Sequence, residues 1–166
     1  RGGKLIVPSF SLGRTQTFLY ILHELAEAGR VPAVPTFVDS PLAMSATEIS
    51  QRHPECFDEG MRRHLARGDD PWGGAHDRFV RDVEESKALN RRRGAAIIVS
   101  ASGMCVSGRI LHHLKNHLPD PRNVVLMLGF QAENTLGRRL LDRPGTARVF
   151  GEEVRVGARV EALSGL

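Results

Sequence analysis

The chain has 166 residues, of which 41% are hydrophobic and 25% are charged. This composition is ordinary for a soluble globular domain with a real core. No apolar run approaches the ~20 residues that a membrane-spanning helix needs, and no signal peptide is visible, so the sequence argues against membrane-spanning and secreted proteins. Cys56 and Cys105 lie far apart in unlike contexts, which favours reduced thiols in the cytoplasm over a disulfide.

The charge of the chain is compatible with a polyanionic partner. The formal net charge is +4, the isoelectric point is near 9.7, and arginine supplies most of the positive charge. A guanidinium binds phosphate through two hydrogen bonds, so this composition suits nucleic acid. Heavy use of arginine also arises in proteins from GC-rich genomes, and charge alone therefore supports a nucleic-acid partner only modestly.

Short apolar runs and amphipathic segments alternate along the chain. Their β-branched content and length predict strands at residues 4–8, 33–38, 79–83, 95–99 and 123–128. Pro35 indicates an edge strand or an irregular start. Apolar spacing and capping signals predict helices at residues 14–28, 42–51, 54–68, 86–92, 109–118 and 135–141. Residues 69–77 are predicted to form a loop, and residues 148–150, 153–156 and 159–163 small strands or a hairpin.

The unit around which the chain is organised is residues 95–117, a buried strand followed by a small-residue loop and a helix. Its repetition predicts a three-layer α/β fold with a mainly parallel, Rossmann-like sheet, helices on both faces and a small β-hairpin near the C-terminus. We expect residues 1–166 to form one domain. Because the chain opens directly on a core strand and stops at residues 164–166 without a cap, we also expect a fragment of a longer protein.

Small polar residues follow four of the predicted strands. They are Ser9, Ser11 and Gly13; Asp39 and Ser40; Ser100, Ser102 and Gly103; and Gly129 and Gln131. In a parallel sheet these turns share the carboxyl edge, where α/β proteins bind ligands, and hydroxyls, glycines and helix N–H groups suit phosphate oxygens. Arg14 and Arg109 follow two of the turns and strengthen a phosphate-binding hypothesis. The competing interpretation is that such residues are simply common in turns.

The titratable residues do not form a complete active site in the sequence. His113 and His117 are four positions apart on a helix but lack the glutamate of the zinc-hydrolase motif. The histidines are therefore predicted to be surface or half-buried residues rather than metal ligands, namely His23, His53, His64, His76, His112, His113 and His117. Asp39 is first a helix cap. A Walker A loop, a G-x-G-x-x-G fingerprint and a nucleophile elbow are all missing from the sequence.

Four segments resemble, in order and spacing, the β-CASP domain that accompanies the metallo-β-lactamase fold in zinc-dependent nucleases. They are residues 4–16 (KLIVPSFSLGRTQ), residues 38–43 (VDSPLA), residues 100–104 with 107–109 (SASGM and SGR), and residues 129–131 with 135–137 (GFQ and TLG). The family includes ribonuclease J and the endonuclease of eukaryotic pre-mRNA 3′-end processing. The match runs nearly from end to end, which makes the resemblance specific.

The resemblance implies a lid domain of a cytoplasmic RNA-processing ribonuclease. Single-stranded RNA would thread between this domain and the metallo-β-lactamase domain of the same parent chain. Two zinc ions would activate a water for attack on a phosphodiester, with their ligands in an H-x-H-x-D-H motif before Arg1 and in histidines after residues 164–166. This chain would then hold no metal ligand and no catalytic residue, and we expect it to be inactive alone.

The resemblance also implies which residues contact the substrate. Arg14 and Arg109 would clamp backbone phosphates, and the turn after the central strand would offer a hydroxyl and backbone N–H groups. The predicted substrate-binding residues are Ser9, Arg14, Gln16, Ser40, Ser102, Gly103, Met104 and Arg109.

Two alternatives remain open from the sequence. The first is a self-contained nucleotide- or sugar-phosphate-binding α/β module in which Asp39, about 26 residues after Gly13, would bind a ribose. The glycine fingerprint that should precede this aspartate is missing. The second is a domain that serves chiefly for homodimerisation.

Overall fold

The core of the molecule is a six-stranded sheet whose strands all run parallel. The computed structural model describes residues 2–73 and 77–163. The strands are β1 (Lys4–Pro8), β2 (Thr36–Val38), β3 (Asp77–Phe79), β4 (Ala96–Ser100), β5 (Val124–Met127) and, numbered after the hairpin described below, β8 (Arg159–Ala162). They are arranged in the order β3-β2-β4-β1-β5-β8. The predicted α/β fold with a parallel sheet is confirmed.

Six helices connect the strands. They are α1 (Arg14–Glu27), α2 (Pro41–Gln51), α3 (Glu59–Ala66), α4 (Val83–Arg91), α5 (Arg109–His117) and α6 (Leu136–Leu141), with a short 3-10 helix at Pro54–Cys56. Among the described helices, none has the length and apolar character required to cross a membrane. A separate antiparallel hairpin pairs β6 (Thr146–Val149) with β7 (Glu152–Arg155) and confirms the predicted hairpin near the C-terminus.

The two faces of the sheet bury alternate residues of the same strands. Ile6 of β1 and Ile98 of β4 are paired in register and pack on one face with α4, α5 and α6. Val7 and Val99, one position further along, pack on the other face with Phe18 of α1. Because successive side chains of a strand point to opposite faces, strands that are apolar at every position require helices on both sides, as predicted.

Two aspartates set element boundaries that differ from the predicted ones. The helix predicted at residues 54–68 is interrupted, because Asp58 starts α3 by accepting a hydrogen bond from the Met61 N–H at 2.8 Å. The strand predicted at residues 79–83 ends earlier, at Phe79. Asp82 accepts a hydrogen bond from the Glu84 N–H at 2.7 Å and starts α4. In both places an N-cap decides the boundary.

Two further predicted strands occupy other positions in the sheet than expected. Pro35 precedes β2, which lies inside the sheet rather than at its edge, and the Pro35 carbonyl accepts a hydrogen bond from the Ile97 N–H. The predicted irregular start of this strand is confirmed, and its predicted position at the edge of the sheet is wrong. The last predicted strand does not join the hairpin but extends the main sheet beside β5. Part of the predicted loop at residues 69–77, His76 and the expected terminal turn at residues 164–166 lie outside the described residues.

Candidate functional site

The four turns that follow β1, β2, β4 and β5 lie together at the carboxyl edge of the sheet. The Ser9 N–H donates to the Ser100 carbonyl at 3.0 Å, and the Asp39 N–H donates to the Val99 carbonyl at 2.8 Å. On the other side, the Gln131 side chain donates to the Gly103 carbonyl at 3.0 Å. The predicted gathering of these turns on one edge is therefore confirmed. We call this surface the carboxyl edge.

Arg14 is the positively charged group that the carboxyl edge leaves available. It opens α1 directly after Gly13, whose φ of 78° lies in the left-handed region that glycine adopts readily. A Cβ atom at Gly129 would lie 3.8 Å from Arg14 Nε and Nη2, so the guanidinium lies against the backbone that follows β5. The guanidinium makes no hydrogen bond or ion pair with any described residue. Its five N–H donors are free for an anion.

Arg109, the other predicted phosphate clamp, is instead bound within the protein. Its Nη1 atom lies 2.7 Å from Asp39 Oδ1 and 3.2 Å from the Val80 carbonyl, and its Nη2 atom donates to the Arg81 carbonyl at 2.8 Å. The side chain is 21% exposed. Most of its hydrogen-bonding capacity is therefore used to hold the turns after β2 and β3 together, which leaves little for a phosphate.

Asp39 is the centre of this buried network. Its side chain is fully buried, and besides Arg109 it accepts hydrogen bonds from Ser86 Oγ at 2.5 Å and from His113 Nε2 at 2.6 Å. Burial raises the pKa of Asp39, but the hydrogen bonds from His113, Ser86 and Arg109 outweigh that effect, so the pKa lies below its usual range. Asp39 was predicted first as a helix cap. The structure assigns that role to Ser40, whose Oγ accepts from the Ala43 N–H at 3.2 Å.

Three further residues predicted to contact substrate are buried beneath the carboxyl edge. Gln16 is 6% exposed, and its side-chain amide donates to the Ser11 carbonyl, the Ala43 carbonyl and Thr47 Oγ1. Ser9 is 1% exposed and accepts a hydrogen bond from the Thr15 hydroxyl, and Ser40 is 6% exposed. The structure gives these side chains a supporting position, and their role as substrate contacts stays a prediction.

In the turn after β4 the unpaired groups are backbone N–H donors rather than the Ser102 hydroxyl, with Gly103 buried and Met104 half-buried. Ser102 Oγ accepts hydrogen bonds from the N–H groups of Val106 and Ser107 at 3.0 and 3.3 Å. Within the part of the chain that the structure describes, the N–H groups of Gly103 and Met104 donate to no other residue. Two adjacent free N–H groups can form an anion-binding concavity. Gly103 packs so closely against Phe10 that a Cβ atom would lie 2.8 Å from the Phe10 ring.

Large apolar side chains are exposed around the carboxyl edge, and the sequence reasoning did not include them in the site. Phe10 is 46% exposed, Leu12 is 73% exposed and Phe130 is 77% exposed. Phe10 and Leu12 also line an open groove of about 800 Å³ with Leu42 and Ile49, which are 69% and 57% exposed. The sequence feature that could have identified them is an apolar residue within an otherwise polar turn, as in the segments SFSLG and GFQ.

The two histidines on the buried face of α5 do not form a metal pair. His113 is fully buried, and its second ring nitrogen lies 2.8 Å from Asn90 Oδ1. His117 stacks beside it with ring centroids 6.4 Å apart. Burial, together with the nearby His113, lowers the pKa of His117 to about 4, so its imidazole is neutral at pH 7. Both residues are part of the core and more deeply buried than the surface or half-buried position that the sequence predicted.

Comparison with known proteins finds one matching domain family and relatives named as ribonucleases and as a transcription termination factor. Residues 15–140 match the Beta-Casp domain. The chain is 39% identical over 165 residues to ribonuclease TTHA0252 of Thermus thermophilus, covering 99% of this chain and 38% of that protein. It is 31% identical over 159 residues to an RNase J-like protein of Methanocaldococcus jannaschii, covering 96% and 36%. It is 30% identical over 171 residues to the transcription termination factor FttA of Pyrococcus abyssi, covering 99% and 26%.

The chain thus spans between about a quarter and two fifths of the length of these relatives. The domain match covers most of the chain, and it includes or adjoins all four segments that carry the resemblance in the sequence. The chain belongs to the β-CASP domain family.

Proposed function

We propose that this chain is the substrate-binding lid domain of a cytoplasmic zinc-dependent ribonuclease and that single-stranded RNA lies along its carboxyl edge. The observation that carries the proposal is the unpaired guanidinium of Arg14, which lies where the turns after β1 and β5 meet. Arginine–phosphate contacts provide most of the sequence-independent affinity of proteins for nucleic acids. The names of the ribonuclease and of the RNase J-like relative support RNA as the substrate.

The exposed aromatic rings fit a single strand better than a duplex. Phe10 and Phe130 project from the turns that flank Arg14. Proteins that bind single strands combine basic groups along the backbone with aromatic rings on which bases stack. The free N–H groups of Gly103 and Met104 add donors for phosphate oxygens at the next turn. Arg109 contributes by fixing the turns, because its own donors are occupied.

The zinc ions of the proposed enzyme belong outside this chain. Among the described residues, the one group of three or more histidine, cysteine or carboxylate donors close enough to hold a metal lies at the far end of α1, and the carboxyl edge has none. The metallo-β-lactamase domain of the parent chain would supply the zinc ligands and the catalytic residues. The greater length of the relatives leaves room for such a domain.

The apolar groove beside Ser102 supports the role of a lid. Contiguous exposed apolar side chains mark surfaces that another molecule or domain covers. Leu12, Leu42 and Ile49 form such a surface next to the carboxyl edge. The remainder of the parent chain is the proposed cover, which would place this edge against the metal-bearing domain. A cytosolic location accords with Cys56 and Cys105, which are both free thiols.

The alternative of a mononucleotide-binding module loses its main support in the structure. Asp39 would have to offer a carboxylate to a ribose. Both of its oxygens are instead occupied by Arg109, His113 and Ser86, and its side chain is fully buried. No other observation favours that module.

The proposal is tested by RNA binding to matched arginine variants. The affinity of the chain for a fluorescein-labelled single-stranded RNA is measured by anisotropy between 50 and 200 mM salt, roughly the range over which phosphate contacts lose affinity. We expect Arg14→Gln to weaken binding and to reduce the slope of log K against log[salt] by about 1. Phe130→Ala should weaken binding by about 5- to 100-fold through lost stacking. The control is Arg30→Gln, an exposed arginine beyond the other end of α1, and equal losses in both arginine variants would contradict the proposal.

A further inference from the structure

Four metal-binding side chains converge near the C-terminal end of α1, far from the carboxyl edge. His23 and Glu27 lie on α1, His64 lies on α3, and Asp69 lies in the turn that follows α3. One ligand atom from each lies within 4.8 Å of all the others. At 1.5 Å rise per residue, His23 is about 14 Å along the helix from Arg14. This group is therefore separate from the proposed RNA-binding surface.

The distances within the group centre on Asp69. Asp69 Oδ2 lies 2.8 Å from His23 Nε2 and 2.6 Å from His64 Nδ1. Glu27 Oε2 lies 3.9 Å from His23 Nε2 and shares its helix face, since residues four positions apart are neighbours on a helix. The backbone also holds Asp69 in place, because its N–H donates to the His64 carbonyl at 3.0 Å.

The donor set has the chemistry of a site for a first-row divalent metal. Two imidazole nitrogens and two carboxylate oxygens suit zinc, which takes four such ligands at about 2.0–2.2 Å. Neighbouring ligands of such a tetrahedral ion lie roughly 3.3–3.6 Å apart, so the two imidazole nitrogens must separate slightly from Asp69 while Glu27 moves inward. Glu27 is the member that can move, because its side chain is 54% exposed.

The orientation of His64 is the second feature that favours a metal. Its side chain is 8% exposed, and its Nε2 atom lies 2.6 Å from Glu24 Oε1. A carboxylate bound to the outer ring nitrogen keeps a proton there. The proton that His64 Nδ1 and Asp69 share at 2.6 Å would be released when an ion binds, and the Nδ1 lone pair would then be directed at the ion. Metal-binding histidines are characteristically held in this way by a carboxylate in the second layer. The same geometry also fits a protonated His64 that donates hydrogen bonds to both Glu24 and Asp69. The test must therefore distinguish a metal ion from a proton at His64 Nδ1.

We propose that His23, Glu27, His64 and Asp69 bind one divalent cation of the zinc class, oriented by Glu24, as a structural site that joins α1 to α3. The sequence predicted these histidines to be surface or half-buried residues rather than ligands, and 46 positions separate His23 from Asp69. A groove of about 400 Å³ lined by His23, Glu27 and Asp69 gives the ion access from solvent. The site goes beyond the proposed function, because it takes no part in binding RNA.

The test is a titration of the EDTA-treated 166-residue chain with ZnCl₂, followed by calorimetry, and with CoCl₂, followed by visible absorption. We expect one ion per chain and a tetrahedral Co²⁺ spectrum. His23→Gln and His64→Gln should abolish binding. Glu24→Gln, which removes only the orienting carboxylate, should weaken binding by about 10- to 100-fold. If the chain binds no ion at all, the proposal is overturned and His64 is held by a proton instead.

The chain offers a matched control in His53, an exposed histidine that lies 2.8 Å from Glu55 and belongs to no group of three or more metal donors among the described residues. His53→Gln should bind zinc as tightly as the unmodified chain does. A variant of a buried histidine could fail to fold, so Glu27→Gln, at an exposed residue, provides a second test. It should weaken binding by at least 10-fold. Unchanged affinity in Glu27→Gln, or a loss of binding in His53→Gln, would overturn the site.

Discussion

His117 is a residue whose burial makes stability depend on pH. Its Nε2 atom is buried without a partner among the described residues, and desolvation lowers its pKa from 6.5 to about 4. As pH falls below 6.5 the unfolded chain takes up a proton at His117, whereas the folded chain does not until about pH 4. The unfolded state binds more protons in this window, so the stability present above pH 6.5 is lost as pH falls.

We therefore expect His117→Leu to remove part of the acid sensitivity of the chain. Between pH 7 and pH 4 the unfolding free energy of the unmodified chain should fall by about 3 kcal/mol more than that of the variant. Urea denaturation at a series of pH values measures this difference. His53→Leu is the control, because His53 is exposed, and it should keep the slope of the unmodified chain between pH 5 and 7. Parallel curves for His117→Leu and the unmodified chain would show that His117 titrates normally.

At the scale of secondary-structure elements, the Asp39 network connects β2, α4 and α5. Its members are Asp39 after β2, Ser86 on α4, and Arg109 and His113 on α5. A carboxylate buried among positive and polar partners is costly to remove, because the partners stay buried without their charge. The same contacts set the relative position of the turns after β2 and β3, and so they shape the carboxyl edge.

Asp39→Asn should consequently destabilise the chain by about 3–5 kcal/mol in the free energy of unfolding measured by urea denaturation. The matched control is Glu48→Gln, which breaks the exposed ion pair between Arg81 and Glu48 at 2.6 Å. Exposed pairs contribute at most about 1 kcal/mol, and we expect a loss within that range. If the two variants lose the same small amount, the network does not hold the elements together.

The elements themselves were largely predictable, because each depends on neighbouring residues in the sequence. The strands are short apolar runs, and the parallel sheet follows from their alternation with helices. Even the boundaries that were missed have local signals, since Asp58 and Asp82 are capping residues immediately before helices. Contacts between distant residues were not predictable. One such contact joins the Arg109 guanidinium to Asp39, 70 positions away, and the phosphate contact predicted for Arg109 stays a prediction.

The candidate site was predictable to the extent that topology determines it. Once the strands are parallel, the turns after them must share one edge, and Arg14 at the start of α1 follows from the same rule. Which side chains of that edge reach solvent depends on packing. Gln16 and Ser9 are buried by α2 and by neighbouring turns, whereas Phe10 and Phe130 are exposed. A sequence pattern that records residue type but not exposure cannot make that distinction.

At the scale of the whole molecule, the proposed RNA-binding surface combines groups suited to a phosphate backbone with no metal-ligand cluster among the described residues of that surface. Its available groups are the Arg14 guanidinium, backbone N–H groups and aromatic rings. Asp39 is buried and occupied, and Glu133, an exposed carboxylate in the turn after β5, belongs to no group of metal-binding side chains among the described residues. Metal-dependent hydrolysis of a phosphodiester needs an ion beside the scissile phosphate. The group of potential metal ligands in the described residues lies about 14 Å along α1 from Arg14, too far to contact a phosphate held there.

We therefore expect the isolated chain to bind single-stranded RNA weakly and to leave it intact. A 5′-labelled RNA incubated with the chain and ZnCl₂ should show no cleavage on a denaturing gel, at concentrations at which anisotropy shows the RNA to be bound. His23→Gln distinguishes activity at the α1–α3 metal group from contamination, since any cleavage that depends on that group should disappear in the variant. Cleavage that co-purifies with the folded chain, requires zinc and is lost in Arg14→Gln would show that the carboxyl edge is itself catalytic. In that case the proposal that this domain binds RNA while the rest of its parent chain cleaves it would be wrong.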